Sequence, residues 1–171
     1  MDVVRLLIVD DHGGVRKAIR RLVTVENWEV CGEAEDGDGA IQAARQLKPD
    51  LIIMDLFMPG MNGIQAAEAI RKEFPAMLIM LVTTLDARIE EEARNVGIRG
   101  TVSKMATDQI VRGIQAMLRG EEFHQLRDKP DRAEGSLPLD DLPDDAARIA
   151  RREDPVRHIA GHDTARANHR A

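Results

Sequence analysis

Four places in the chain pair an apolar run with a side chain able to do polar chemistry. Asp10 and Asp11 follow Leu6-Leu7-Ile8-Val9, Asp55 follows Leu51-Ile52-Ile53-Met54, Thr83 follows the apolar stretch 77–82, and Lys104 follows the short run 100–103. Alone, Asp55 reads as a helix cap or a turn residue. Beside two more carboxylates it reads differently, because three carboxylates in one crevice repel and raise one another's pKa unless a cation sits among them. Oxygen ligands with room left for water suit Mg²⁺. Adding the Thr83 hydroxyl and the Lys104 ammonium to metal-balanced carboxylates makes a cradle for the equatorial oxygens of a transferring phosphoryl group. The chain has neither a Gly-x-x-x-x-Gly-Lys loop nor a Gly-x-Gly-x-x-Gly turn, so a nucleotide is not the expected source of that group. Asp55 as a nucleophile forming an acyl phosphate is the economical assignment.

These groups can meet only if the apolar runs are parallel strands that end on one edge. Uninterrupted apolar runs, rather than alternation, are what strands covered on both faces show. Between them, Val15, Ile19, Leu22 and Val23 keep helical spacing, with Arg16, Lys17, Arg20 and Arg21 on the other face. A second strand is expected over 28–34 and a second helix over 38–47, stopped at Lys48-Pro49. Pro59-Gly60 and Asn62-Gly63 make a short stiff loop behind Asp55, and a third helix follows from Ile64 to just before Pro75. A fourth helix spans 89–96 with Gly97 as its C-cap, and Ile110, Val111, Ile114, Met117 and Leu118 mark a fifth, ending near Gly120. Five strands alternating with five helices predict an α/β, flavodoxin-like doubly wound parallel sheet. The order 2-1-3-4-5, taken from that fold type, puts the switch point between the strands ending in Asp10-Asp11 and Asp55.

Asp10-Asp11, Asp55 with Met58-Pro59-Gly60-Met61-Asn62-Gly63, Thr83 and Lys104, in that order, resemble the receiver domain of two-component response regulators. The likeness covers roughly residues 3–120. The Val-Asp-Asp-His start and the Met-Pro-Gly-Met-Asn-Gly loop are similar to receivers that precede a LuxR-type helix-turn-helix output domain. The resemblance implies that Asp55 takes a phosphoryl group from a sensor histidine kinase or a phosphotransfer protein. It implies that Asp11, Asp55 and the backbone carbonyl of Phe57 bind Mg²⁺ directly, with Asp10 acting mainly through water. It implies further that Lys104 pairs with Asp55 and then with a phosphoryl oxygen, while the Thr83 hydroxyl moves to bond another. Such a protein catalyses only its own phosphorylation and dephosphorylation and is not otherwise an enzyme.

Two positions depart from the family pattern. Thr101 stands where an aromatic residue is usual, and Met105 stands where proline usually follows the lysine, with the interval from Thr83 to Lys104 one residue short. A pseudo-receiver that binds a partner without being phosphorylated is therefore an alternative, as is a DNA-binding regulator that has lost its output half. A phosphatase-like enzyme using Asp55 is disfavoured, since Phe57 occupies the place of a general acid. Phe57 and Leu85, each two residues after an active group, are expected to shield an acyl phosphate from water and slow its loss. For Phe57 the plainer expectation is packing over the loop.

Charge and composition set outer bounds. Residues 1–123 carry 15 basic and 20 acidic residues and residues 124–171 carry 9 and 10, so neither part has the basic excess that phosphate-backbone binding needs. The single cysteine, Cys31, cannot form an internal disulfide and fits a reducing compartment. Charged residues interrupt the first apolar run, and no run is long enough to span a bilayer, so a cytoplasmic protein without membrane contact is expected. Residues 1–123 are read as the receiver. Residues 124–171 hold four of the seven prolines, no aromatics and only seven Leu, Ile or Val, and are read as a largely disordered tail with no output domain. DNA binding is therefore unsupported by the tail. The first and last helices, or the 89–118 face, could support a homodimer.

Overall fold

A computed structural model describes residues 3–24, 26–84 and 87–125. Leu85 and residues 126–171 lie outside the described residues; the latter include 144–152, where the sequence allows a short exposed helix, and His158 and His162, whose four-residue spacing suits one helical face but, without partner ligands, a solvated pair rather than a metal site. The elements are β1 (Arg5–Val9), α1 (Gly13–Thr24), β2 (Glu29–Ala34), α2 (Gly37–Leu47), β3 (Leu51–Asp55), α3 (Gly63–Glu73), β4 (Leu78–Thr83), α4 (Ala87–Asn95), β5 (Gly100–Ser103), α5 (Thr107–Leu118) and β6 (Phe123–Gln125). Every pairing is parallel and the sheet order is β2-β1-β3-β4-β5-β6.

Alternate residues of the central strands feed two cores. Leu7, Val9, Ile52, Met54, Ile79 and Leu81 pack with Ala40 and Ala44 of α2, Ile64, Ala67 and Ile70 of α3, and Ala93 of α4. Leu6, Ile8, Leu51, Ile53, Met80 and Val82 pack with Ile19 and Val23 of α1 and with Ile110, Ile114 and Met117 of α5. Because both faces are covered, β1, β3 and β4 carry no polar positions between their ends. Each fully buried Leu or Ile among them contributes about 1.5–3 kcal/mol of transfer free energy. No helix among the described residues is long and apolar enough to cross a membrane.

Local chemistry fixes where the helices begin and end. Asp36 accepts from the amide of Gly39 at 2.7 Å to cap α2, which closes on Lys48 in the left-handed region (φ 46°) immediately before Pro49. At α3, Asn62 accepts from the amide of Gln65 at 2.9 Å while Gln65 accepts from the amide of Asn62 at 3.1 Å, a reciprocal capping box. That box pins the carboxyl side of the loop behind Asp55.

One correction concerns the strand count. The sheet has six strands, not five: after the turn at Gly120 (φ 87°) the chain adds β6 outside β5, extending the expected order to 2-1-3-4-5-6. Three residues that include a histidine have no strand signature of their own. What holds them is tertiary, since Phe123 packs so closely on α5 that a Cβ at Gly113 would stand 2.8 Å from its ring.

Candidate functional site

Parallel strands deliver their carboxyl ends to one edge, and the loops beyond β1, β3, β4 and β5 start there. Asp55 is the last residue of β3 and pairs in register with Val82, and Thr83 pairs with Ser103. One step further on, the Lys104 amide donates to the Thr83 carbonyl at 2.9 Å, which continues the ladder and fixes where the lysine leaves the sheet. Asp10 is held just as firmly: its amide donates to Ala34 O at 3.2 Å and its carbonyl accepts from Arg16 Nη1 at 2.7 Å.

From these anchors the Lys104 Nζ reaches Asp55 Oδ2 and Asp10 Oδ2, each at 2.8 Å. The other Asp10 oxygen accepts from the amide of His12 at 2.9 Å, so both Asp10 oxygens are engaged. Asp55 is left half-satisfied. Its Oδ1 is buried and has no hydrogen-bond partner. A buried carboxylate oxygen without a donor is costly and calls for a partner.

The electrostatics follow from that asymmetry. Burial pushes the Asp55 carboxyl above its ordinary value; Lys104 pulls it down, Asp10 pushes it up again, and the nearby Phe57 amide, the smallest of these effects, pulls it down. Burial alone would lower Lys104, but its hydrogen bonds to Asp10 and Asp55 outweigh this and hold the ammonium above its ordinary value. The two directions are compatible, because the lysine has two carboxylates to itself whereas Asp55 shares one lysine and faces a like charge.

The expected site residues are not all joined in the same way. Asp10, Asp55 and Lys104 form one cluster. A second grouping brings ligand atoms of Asp10, Asp11 and His12 within 4.8 Å of one another, with His12 Nδ1 at 2.7 Å from Asp11 Oδ1. Asp55 is not in that tight group, whereas His12 is. Thr83 is buried at the same edge, but its hydroxyl donates to the Thr84 carbonyl over a long 3.4 Å. Phe57 is 60 % exposed and Met105, next to the lysine, is 74 % exposed.

The residues fit a hard divalent cation. Asp10, joined to Asp55 through Lys104, lies in one tight group with Asp11, Asp55 keeps an unpartnered buried oxygen, and carboxylate oxygens are the donors that Mg²⁺ takes. The imidazole of His12 departs from an oxygen-only set.

Comparison with known proteins identifies the family. The family model described as the response regulator receiver domain matches residues 6–115. A transcriptional regulatory protein, YdfI, of Bacillus subtilis (strain 168) is 34 % identical over 123 residues, covering 71 % of this chain and 58 % of its own length. The response regulator GacA of Pseudomonas aeruginosa is 30 % identical over 124 residues, with the same two coverages. The chain thus spans a little over half the length of these curated relatives. Among solved structures, a LuxR-family two-component response regulator from Aurantimonas sp. SI85-9A1 superimposes with a TM-score of 0.70 at 32 % identity, covering 74 % of this chain and 92 % of the other. The isolated receiver domain of RcsB from Salmonella enterica serovar Typhimurium, studied with phosphomimetic BeF3⁻, gives 0.67 at 28 % identity, covering 72 % and 94 %. With the family match extending from β1 into α5, and receivers of LuxR-type regulators among its likenesses, the chain belongs to the response regulator receiver domain family.

Proposed function

We propose that Asp55 accepts a phosphoryl group from the phosphohistidine of a sensor kinase or phosphotransfer protein, in an Mg²⁺-dependent reaction, and that the modified domain signals through altered protein contacts. The observation that carries this reading is the pairing of one Asp55 oxygen with Lys104 at 2.8 Å while the other is buried without a partner. The free oxygen attacks phosphorus and the phosphorus–nitrogen bond of the donor breaks. The bonding electron pair leaves on the donor imidazole, which takes up a proton from solvent. Asp11, Asp55 and the Phe57 carbonyl would hold the cation, with Asp10 helping through water. Bound Mg²⁺ supplies charge neutralisation at the phosphoryl oxygens. Lys104, already charged and shared between two carboxylates, follows the new negative charge without needing to gain a proton. Thr83 gives up its long bond to Thr84 and donates to a phosphoryl oxygen.

The chemistry is self-modification of one aspartate, so no turnover of another substrate is assigned. A reducing cytoplasm fits the single thiol of Cys31, whose sulfur donates to Leu6 O at 3.3 Å. A homodimer is the symmetric form such contacts would take. The acidic excess of residues 1–123 disfavours contact with a DNA backbone. The test is mass spectrometry after incubation with acetyl phosphate and Mg²⁺. One phosphoryl adduct that requires the cation and is missing in Asp55→Asn is expected. No adduct on the natural chain would leave the non-phosphorylated interaction module as the better reading.

A further inference from the structure

Strand β6 is fastened to the sheet by more than its backbone. The Phe123 amide donates to Arg99 O at 2.9 Å, the Arg99 guanidinium donates to the Gly120 carbonyl, and the ladder pairs Thr101 with His124. On that rung the two side chains also meet: Thr101 Oγ1 and His124 Nδ1 lie 2.9 Å apart. Thr101 is fully buried and the histidine side chain is only 3 % exposed. The second ring nitrogen, Nε2, is buried and has no hydrogen-bond partner, the nearby Glu122 Oε2 standing 3.6 Å off.

A neutral imidazole has one donor and one acceptor nitrogen, and Thr101 can serve either on Nδ1. A protonated ring has two donors and a full charge in a place with little water, and its Nε2 would face only the Glu122 carboxylate, 3.6 Å away and too far for a close hydrogen bond. The charged groups facing it are Arg94 and Glu90 of α4 and Glu122 just before β6. Burial first, and Arg94 second, push the ring below its ordinary value of 6.5; Glu90 and Glu122 oppose them.

We propose that His124 is a proton-released fastener, whose protonation loosens β6 from β5 and uncovers the edge of the sheet at Thr101. This does not depend on phosphoryl transfer at Asp55. Because the closed form binds the proton less well than the open form, closure is fully favoured above the ordinary histidine value. It weakens as pH falls from there through the depressed value of the closed form. Each unit of depression makes opening tenfold easier once the ring is charged.

The experiment is amide hydrogen exchange of the full chain by NMR, corrected for intrinsic exchange rates, with the His124 ring titrated in the same samples. Protection at Phe123 is expected to fall about tenfold for each unit of depression as the ring protonates, while amides of β1 and β3 keep theirs. His124→Gln keeps a hydrogen-bonding group but cannot titrate in this range, so its Phe123 protection should be flat with pH. Parallel pH profiles in the two proteins, or a protonated ring with Phe123 still fully protected, would overturn the proposal. Thr101→Val keeps the ring and removes its partner, and is expected to lower Phe123 protection at neutral pH; unchanged protection there would also overturn it.

Discussion

The main chain of Gly63 lies against that of Asp55 so closely that an added Cβ would overlap the Asp55 carbonyl oxygen and stand 3.0 Å from its carbonyl carbon. The Gly63 amide donates across this contact to Leu56 O at 2.9 Å. The first residue of α3 is thereby buttressed directly on the strand end that carries the reactive carboxylate. Gly63→Ala must push backbone against backbone, where no flexible side chain can yield. The expected loss is about 1–3 kcal/mol or somewhat more, read as a lower urea midpoint with an unchanged slope. Phosphorylation by acetyl phosphate should slow in the same variant, because the displaced group is Asp55 itself.

Lys104→Met leaves two buried carboxylates without their shared cation. Breaking a buried pair by removing one partner costs about 3–5 kcal/mol, and equilibrium unfolding at neutral pH should show a loss of that order. The pH dependence has a definite sign. Lys104 is raised in the folded state, so its contribution is fully present below the ordinary lysine value of 10.5 and disappears as pH rises through the folded value. The natural chain should lose stability on that alkaline limb, and Lys104→Met should lack it. Asp55 is also raised, so its ionised form works against folding once pH exceeds its folded value. Asp55→Asn, which removes the like charge facing Asp10, should be no less stable than the natural chain at neutral pH, even though it can no longer accept a phosphoryl group.

Cation binding should register as stability, because only the folded chain gathers these carboxylates. At a hundred times the dissociation constant, a ligand that binds only the folded form adds about 2.7 kcal/mol. Addition of MgCl2 is expected to raise the melting temperature saturably in the natural chain. The rise should be lost in Asp11→Asn and in Asp55→Asn. A rise of the same size in both variants would mean that the ion binds elsewhere.

Phe57, two residues after the acceptor and 60 % exposed, lies at the mouth as an apolar group that a bound phosphoryl would approach. Phe57→Asn replaces it with an amide able to orient water. Loss of the phosphoryl group should then accelerate about tenfold, equivalent to roughly 1.4 kcal/mol of barrier. The measurement is the decay of the phosphorylated mass after donor removal; equal decay rates would show that the ring excludes no water.

The central strands were legible because burial on both faces leaves an uninterrupted apolar run, and the short length of each run between polar and turn residues favours a strand over a buried helix. Leu6 to Val9 and Leu51 to Met54 are each almost wholly buried. The ends of helices were less legible where no cap exists. At the start of α5 Ala106 makes no side-chain cap, so the apolar spacing first registers at Ile110 although the helix begins at Thr107. The acidic residues and the lysine were evident from their positions after strands. That Lys104 divides itself equally between Asp10 and Asp55 was not, since a distance between side chains on three strands depends on twist and stagger rather than on sequence spacing. His124 was read as the first residue of the tail, and its burial depends on Phe123 finding Gly113 some ten positions earlier.

β6 also bears on how the folded chain avoids its own kind. Without it, the sheet would end on β5, whose four residues are all buried and would offer unpaired amides and carbonyls beside apolar side chains. Such an edge is a template on which another chain can add a strand. Three residues of β6 are enough to cover it, and they replace it with a shorter margin that carries a histidine and a glutamine. Loss of this covering would therefore show first as self-association, with the rest of the fold still intact.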